Sequence, residues 1–150
     1  MEFQQFNEEY SRLYKEDDGL YRRLAKHFRL SESAFWILYT LEASQQPLTQ
    51  AELCGWLYLS KQTINSGLKQ LEQEGRIRLS DGPGRKKYLR LTDMGRALAA
   101  RTVRPVIEIE ERAFLSMTQE EQEDFLRLTR LHLELMLRES EAILNTPQEE

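Results

Sequence analysis

The feature that most constrains this chain is a change of period at Gly75. Before it, Ile64, Leu68 and Leu71 recur four and then three residues apart, marking one face of a helix. After it, Arg76-Ile77-Arg78-Leu79-Ser80 alternates, with Ile77 and Leu79 on one side and the arginines on the other. Tyr88-Leu89-Arg90-Leu91 alternates again, and Asp81-Gly82-Pro83-Gly84 between the two runs is turn chemistry. The pattern predicts a helix ending at Gly75, a residue that turns left-handed without strain, and then a short β-hairpin with a basic tip.

The segments before this junction read as helices. Tyr10, Leu13, Tyr14, Tyr21, Leu24 and Phe28 follow the amphipathic period, although Asp17-Asp18-Gly19 interrupts it and is expected to bend or weaken the helix there. Ser31 is an expected N-cap for Ala34-Phe35-Trp36-Ile37-Leu38-Tyr39-Thr40-Leu41, where apolar residues cover nearly the whole circumference. Such a helix belongs between two layers. Gln45-Gln46-Pro47 reads as a loop, and Thr49 with Glu52 forms a capping box opening a short helix through Ala51, Leu53, Cys54 and Leu57. Ser60 caps the helix that follows.

Downstream of the hairpin, Thr92 caps a long helical region expected to break at Pro105 and to restart at the Thr118-Gln119-Glu120-Glu121 capping box. Phe125, Leu128, Leu131, Leu135, Met136, Ala142 and Ile143 mark the apolar stripe of the last helix, which Asn145-Thr146-Pro147 stops, leaving a frayed acidic tail. The expected fold is therefore mainly α with a small β-hairpin. The chain's 150 residues suit a single domain, 1–150. No run approaches the roughly 18 apolar residues that span a bilayer, and the acidic, polar stretch from Met1 to Tyr10 is unlike a signal peptide. The expectation is a cytoplasmic protein with no membrane partner.

Charge is divided unevenly along the chain. The net charge is −4, yet Ser60 to Thr92 holds eight basic residues against three acidic ones, a local +5 on a body of −9. A basic segment on an acidic body is the footprint of a polyanion contact. The order helix, short helix, tight connection, helix, hairpin places its third helix in a DNA major groove. That helix divides cleanly. Ile64, Leu68 and Leu71 pack inward, with Gly67 allowing a neighbouring helix to approach closely. Ser60, Lys61, Gln62, Thr63, Asn65, Ser66 and Lys69 are the expected DNA-facing set. Their amides and hydroxyls suit base edges and the lysines suit phosphates. In the hairpin, Arg85 suits the negative potential of a narrow minor groove, with Lys86 and Lys87 on phosphates. The alternative is a winged helix used as a protein-interaction module without an operator.

Several stretches together resemble the MarR family of bacterial winged helix-turn-helix regulators. They are Leu48-Thr49-Gln50-Ala51-Glu52-Leu53-Cys54, Leu59-Ser60-Lys61-Gln62-Thr63-Ile64, Leu71-Glu72-Gln73-Glu74-Gly75-Arg76-Ile77, Gly84-Arg85 and Leu91-Thr92-Asp93-Met94-Gly95. The resemblance implies a winged-helix lobe over 30–100, with 1–29 and 101–150 as helices of an obligate homodimer. It implies a transcriptional regulator, most simply a repressor on double-stranded DNA with a palindromic operator. Apolar residues at both ends, Phe3, Phe6 and Tyr10 at one and Leu128 to Ile143 at the other, independently offer surface for pairing. One departure is the wing, where the family usually has Asp-x-Arg. Pro83 stands two residues before Arg85 here, so that Asp81 is left as the available carboxylate.

Members of that family often bind small aromatic or phenolic effectors between the dimer helices and the DNA lobe. Tyr10, Tyr14, Trp36 and Tyr39 lie in the elements that would line such a cleft. The single cysteine, Cys54, excludes an intramolecular disulfide and reads as a small buried packing residue rather than a redox switch. His27 and His132 read as helix-surface or interface residues. No nucleophile elbow, phosphate loop or paired-carboxylate cleft is present, so no catalytic residue, metal ligand or cofactor is assigned, and the chain is not expected to be an enzyme.

Overall fold

A computed structural model of the chain describes residues 1–44, 46–82, 84 and 86–146. Among them the order is α1 (Phe3–His27), α2 (Glu32–Ala43), β1 (Leu48–Thr49), α3 (Gln50–Trp56), α4 (Lys61–Gln73), β2 (Ile77–Asp81), β3 (Lys87–Leu91), α5 (Asp93–Arg101), α6 (Val103–Leu115) and α7 (Gln119–Leu144). The chain divides into two compact units, Met1–Glu108 and Ile109–Glu150.

In the first unit α2 is the hub. Phe35, Ile37 and Leu38 are wholly buried, and the helix touches α1, α3, α4, α5 and β3, as its uniformly apolar surface requires. Leu53, Ile64, Leu71, Val103 and Val106 complete the deepest layer. The expected caps all form: the side chains of Ser31, Thr49, Ser60 and Thr92 accept from the backbone three residues on. Gly75 is left-handed at φ 66°, and the amides of Gly75 and Arg76 donate to Glu72 O and Leu71 O, closing α4.

Three local expectations are corrected. First, α1 runs unbroken through Asp17-Asp18-Gly19. One glycine costs a helix only about 1 kcal/mol. The Asp18–Arg22 pair at 2.7 Å spans the site, and Ala25 anchors the following turn in the core. Second, the helical region beyond Thr92 breaks at Thr102, not at Pro105. Pro105 lies in the first turn of α6, where proline is tolerated because those N–H groups have no intrahelical acceptor. The Thr102 hydroxyl donates to Leu98 O at 2.7 Å and closes α5. Third, Leu48-Thr49 is not only a helix approach. It forms a short strand, so the sheet is three-stranded and antiparallel in the order β1-β3-β2.

The hairpin register pairs Ile77 with Leu91 and Leu79 with Leu89, while β1 sets Leu48 against Leu89. Alternation holds with one qualification from topology. Leu89 on the central strand is buried, whereas Leu79 on the edge strand is 47% exposed. Arg78 points outward as expected, but Arg76 precedes the strand and is half-buried.

The second unit holds the end of α6 and α7. Thr118 and Glu121 form the expected capping box, and Gln122 Nε2 donates to Phe114 O and Met117 O across the turn. No residue of α7 is buried, and Phe125, Leu128, Leu131, Leu135 and Met136 are all exposed. Asn145 caps its end; Pro147 and the acidic tail lie outside the described residues.

Candidate nucleic-acid interface

The surface of α4 follows from its spacing. Ile64, Gly67, Leu68 and Leu71 face the core, and Gly67 is the point of closest approach to α2. A β-carbon there would lie 2.8 Å from Ile37 Cδ1 and 2.8 Å from Ser33 Oγ, so glycine sets how deeply α4 seats. The opposite face carries Lys61, Gln62, Thr63, Asn65, Ser66 and Lys69, every one exposed. Of these, Lys61, Gln62, Asn65, Ser66 and Lys69 line one shallow open groove.

Hydrogen bonds divide this face further. Ser60 is exposed, but its Oγ accepts from Thr63 N at 3.0 Å and lies 2.7 Å from Thr63 Oγ1. Both hydroxyls are thus engaged in capping the helix. Ser66 Oγ donates to Gln62 O at 3.0 Å. Asn65 has a partner that sequence reasoning missed: Gln50 Nε2, from the first turn of α3, donates to Asn65 Oδ1 at 2.5 Å. The bond joins residues fifteen apart, so no local spacing announces it. It holds the Asn65 amide at the centre of the face.

The wing extends this surface. Gly82 N donates to Lys86 O, and a β-carbon on Gly82 would strike the Tyr88 ring at 2.2 Å, so the turn is held against that ring. Lys86 and Lys87 are exposed, and Lys87 Nζ lies 2.5 Å from Asp81 Oδ1. The described partner of Asp81 is therefore Lys87. Arg85 and Pro83 lie outside the described residues. Arg78 and Arg90, counted in the basic segment but given no role from sequence, are cross-strand neighbours that both face outward, and Arg90 Nε donates to Ser80 Oγ at 2.9 Å. Arg78 borders a groove shared with Gln50, Asn65 and Lys69, which brings the wing's charge to the edge of the reading face.

The Leu-Thr-x-x-Gly segment after the wing proves to be a structural clasp. Thr92 N donates to Arg76 O at 3.0 Å, and Thr92 Oγ1 donates to Gly75 O and accepts from Gly95 N. These bonds tie the start of α5 to the end of α4 and so fix where the hairpin departs. At the start of α3, backbone and side-chain donors of Thr49 hold the Glu52 carboxyl below its ordinary pKa, and Lys86 contributes a weaker pull in the same direction.

A second concavity lies in the first unit, a cleft of about 500 Å³. Of the four aromatic residues considered for an effector, Tyr14, Trp36 and Tyr39 line it and Tyr10 does not. One turn earlier on α1, its ring stacks on Phe6 at 5.6 Å. Tyr21, Trp56 and Tyr58 line it too: Tyr21 read from sequence only as part of the α1 stripe, while Trp56, the last residue of α3, and Tyr58, in the connection that follows, belong to no helical stripe. Cys54 is half-buried against the core rather than fully buried. His27 packs edge-on against Phe28 at 5.1 Å. Among the described residues no group of three His, Cys, Asp or Glu side chains is placed to hold a metal ion, and no helix is long and apolar enough to cross a membrane.

Residues 30–87 match the model of the MarR family. Of solved structures, NMB1585, a MarR family regulator from Neisseria meningitidis, is 24% identical with a TM-score of 0.73, covering 92% of this chain and 97% of its own. The S. aureus MepR–DNA complex is 22% identical, TM-score 0.65, covering 84% and 93%. Staphylococcus aureus MarR in complex with salicylate and kanamycin is 20% identical, TM-score 0.64, covering 91% and 93%. No curated protein matches. The shared architecture is a mainly helical chain with a small antiparallel sheet forming a winged helix.

Proposed function

We propose that the protein, whose residues 30–87 match the model of the MarR family, is a non-enzymatic, sequence-specific DNA-binding transcriptional regulator. The observation that carries this is the division of α4. Every apolar residue that would seat it is buried, while six side chains with amide, hydroxyl or ammonium groups stand in solvent. A merely solvated helix would more often carry Glu–Lys pairs four apart on that face. Asn65 and Gln62 read base edges; Lys61, Lys69, Arg78 and Lys86 take phosphates; and Arg85 reaches the minor groove. MepR, which shares the fold, forms a complex with DNA, and this supports a DNA-binding role for the present chain.

The regulator acts as a homodimer. The lobe over 30–100 reads DNA and the terminal segments 1–29 and 101–150 pair. The exposed leucines and phenylalanine of α7 support this, because a folded chain rarely leaves such an apolar stripe uncovered. Two-fold pairing presents two α4 helices to half-sites about one helical turn apart, and the operator is accordingly an imperfect palindrome occupied in repression. The aromatic cleft receives a small effector that relieves it.

Duplexes enriched from a random pool, followed by fluorescence anisotropy, test the reading. Binding should be specific and fall steeply with salt as counterions are released. Asn65→Ala should cost about 1–3 kcal/mol on the enriched site. Equal affinity for a scrambled duplex would instead favour a protein-interaction module. Sedimentation should show a dimer that Leu128→Glu with Leu135→Glu converts to monomer; a wild-type monomer at micromolar concentration would reject the paired arrangement.

A further inference from the structure

The cleft in the first unit has a chemical character that the family resemblance does not supply. Its walls are Tyr14, Tyr21, Trp36, Tyr39, Trp56 and Tyr58. Trp36 is ordered against Tyr21, with ring centroids 5.0 Å apart, and edge-on to Tyr39 at 5.4 Å. Trp56 and Tyr58 are different: at 70% and 106% exposure they stand in water at one lip. Large rings left uncovered beside a concavity of about 500 Å³ mark a surface for a small molecule, since drug-sized ligands occupy pockets of roughly 300–1,000 Å³.

The charge of the cleft decides what kind. Asp17, Asp18 and Glu32 line it, and Arg22 is the single cation among the described lining residues. That guanidinium is already engaged, 2.7 Å from Asp18. Asp17 and Glu32 take part in no ion pair among the described residues. A phenolate or carboxylate would meet aromatic faces, which carry negative quadrupole potential, and two uncompensated carboxylates. A cation would be attracted by both. We infer that this cleft takes an aromatic, lipophilic cation rather than an anionic phenolate or carboxylate, and that its occupancy weakens the grip of α4 on DNA.

The route to α4 is short. Trp56, Leu57, Tyr58 and Leu59 line the cleft, and the next residue, Ser60, is the cap of the reading helix. A ligand that draws Trp56 and Tyr58 over itself pulls on the connection that sets the position of Lys61 and Gln62. By linkage, whatever factor the ligand takes from DNA affinity, DNA takes from ligand affinity. This coupling rests on the DNA-binding reading above, whereas the ligand preference does not.

Tetraphenylphosphonium and tetraphenylborate share shape and differ in sign, and calorimetry on the DNA-free full chain compares them directly. The phosphonium should bind at least about tenfold tighter. Asp17→Asn with Glu32→Gln should remove most of that preference, and Trp56→Ala should weaken the phosphonium alone. Because Glu32 sits in the first turn of α2, exposed Asp17→Asn alone provides a variant without that risk to folding and should lower the preference severalfold. Equal or tighter binding of the borate, or a preference indifferent to Asp17→Asn, would overturn the assignment. Saturating phosphonium should then lower affinity for an enriched duplex. A duplex that binds equally well with and without it would overturn the coupling, while a chain that binds no duplex specifically would leave the ligand result standing and reject only the DNA reading.

Discussion

Gly95→Ala isolates the clasp that joins α5 to the end of α4. An added β-carbon would lie 1.9 Å from Arg76 O and 2.9 Å from Arg76 C, and both are backbone atoms with no rotamer to escape into. Restoring an ordinary contact requires the carbonyl to retreat by more than about 1 Å. That retreat stretches the Thr92 N and Thr92 Oγ1 bonds to Arg76 O, now 3.0 and 3.1 Å, past hydrogen-bonding range. Two such bonds contribute about 1 kcal/mol each and the displaced Thr92 cap about 1 more, while the higher helix propensity of alanine returns about 1. Residual overpacking adds roughly 1–3 kcal/mol. The expected net loss is about 3–5 kcal/mol, a fall in Tm on the order of 10 °C for a chain of this size. Gly55→Ala is the control. It adds the same methyl within α3, where nothing lies within 4 Å, and should be neutral to stabilising by up to about 1 kcal/mol. Urea denaturation followed by tryptophan fluorescence, at one fixed protein concentration, compares the three chains. A Gly95→Ala midpoint at or above the wild type would refute the clasp.

Gln50→Ala should lower affinity for an enriched duplex by up to about 1 kcal/mol in anisotropy, and a double-mutant cycle with Asn65→Ala should show coupling; additive losses would mean Gln50 does not position Asn65. Arg29 holds the left-handed position after α1, at φ 56°, so Arg29→Gly should raise stability by about 1 kcal/mol in the same denaturation assay. The capping carboxyls Glu52 and Glu121 are held below their ordinary pKa by Thr49 and Thr118, so their stabilisation is present above the unfolded carboxylate pKa. It is lost as pH falls through the lower folded value. Glu52→Gln with Glu121→Gln should therefore flatten the acid limb of stability measured from neutral pH downward; an unchanged limb would show that these caps do not titrate with folding.

Much of this molecule is written at short range. Ser31, Thr49, Ser60, Thr92 and Thr118 each accept from the backbone three residues ahead, and the two faces of α4 follow from a period of 3.6. Both are properties of neighbouring residues, readable wherever the spacing occurs. The greasy circumference of α2 likewise dictated burial on every side, whatever came to surround it. Other features exist only because distant segments meet. Leu48-Thr49 is a strand because β3 lies beside it, and Gln50 finds Asn65 across two helices. Gly95 must be glycine because Arg76 presents a carbonyl to it. Tyr10 and Tyr14 share one helix and one residue type, yet only Tyr14 reaches the cleft, which Trp56 and Tyr58 complete from another segment. Sequence by itself determined the caps, the helical faces and the hairpin, since hydrogen bonds and side-chain direction over three or four residues follow from backbone geometry. Only tertiary structure decided the clasp, the Gln50–Asn65 pair and the walls of the cleft, since those depend on how closely packed layers bring together residues that the chain keeps far apart.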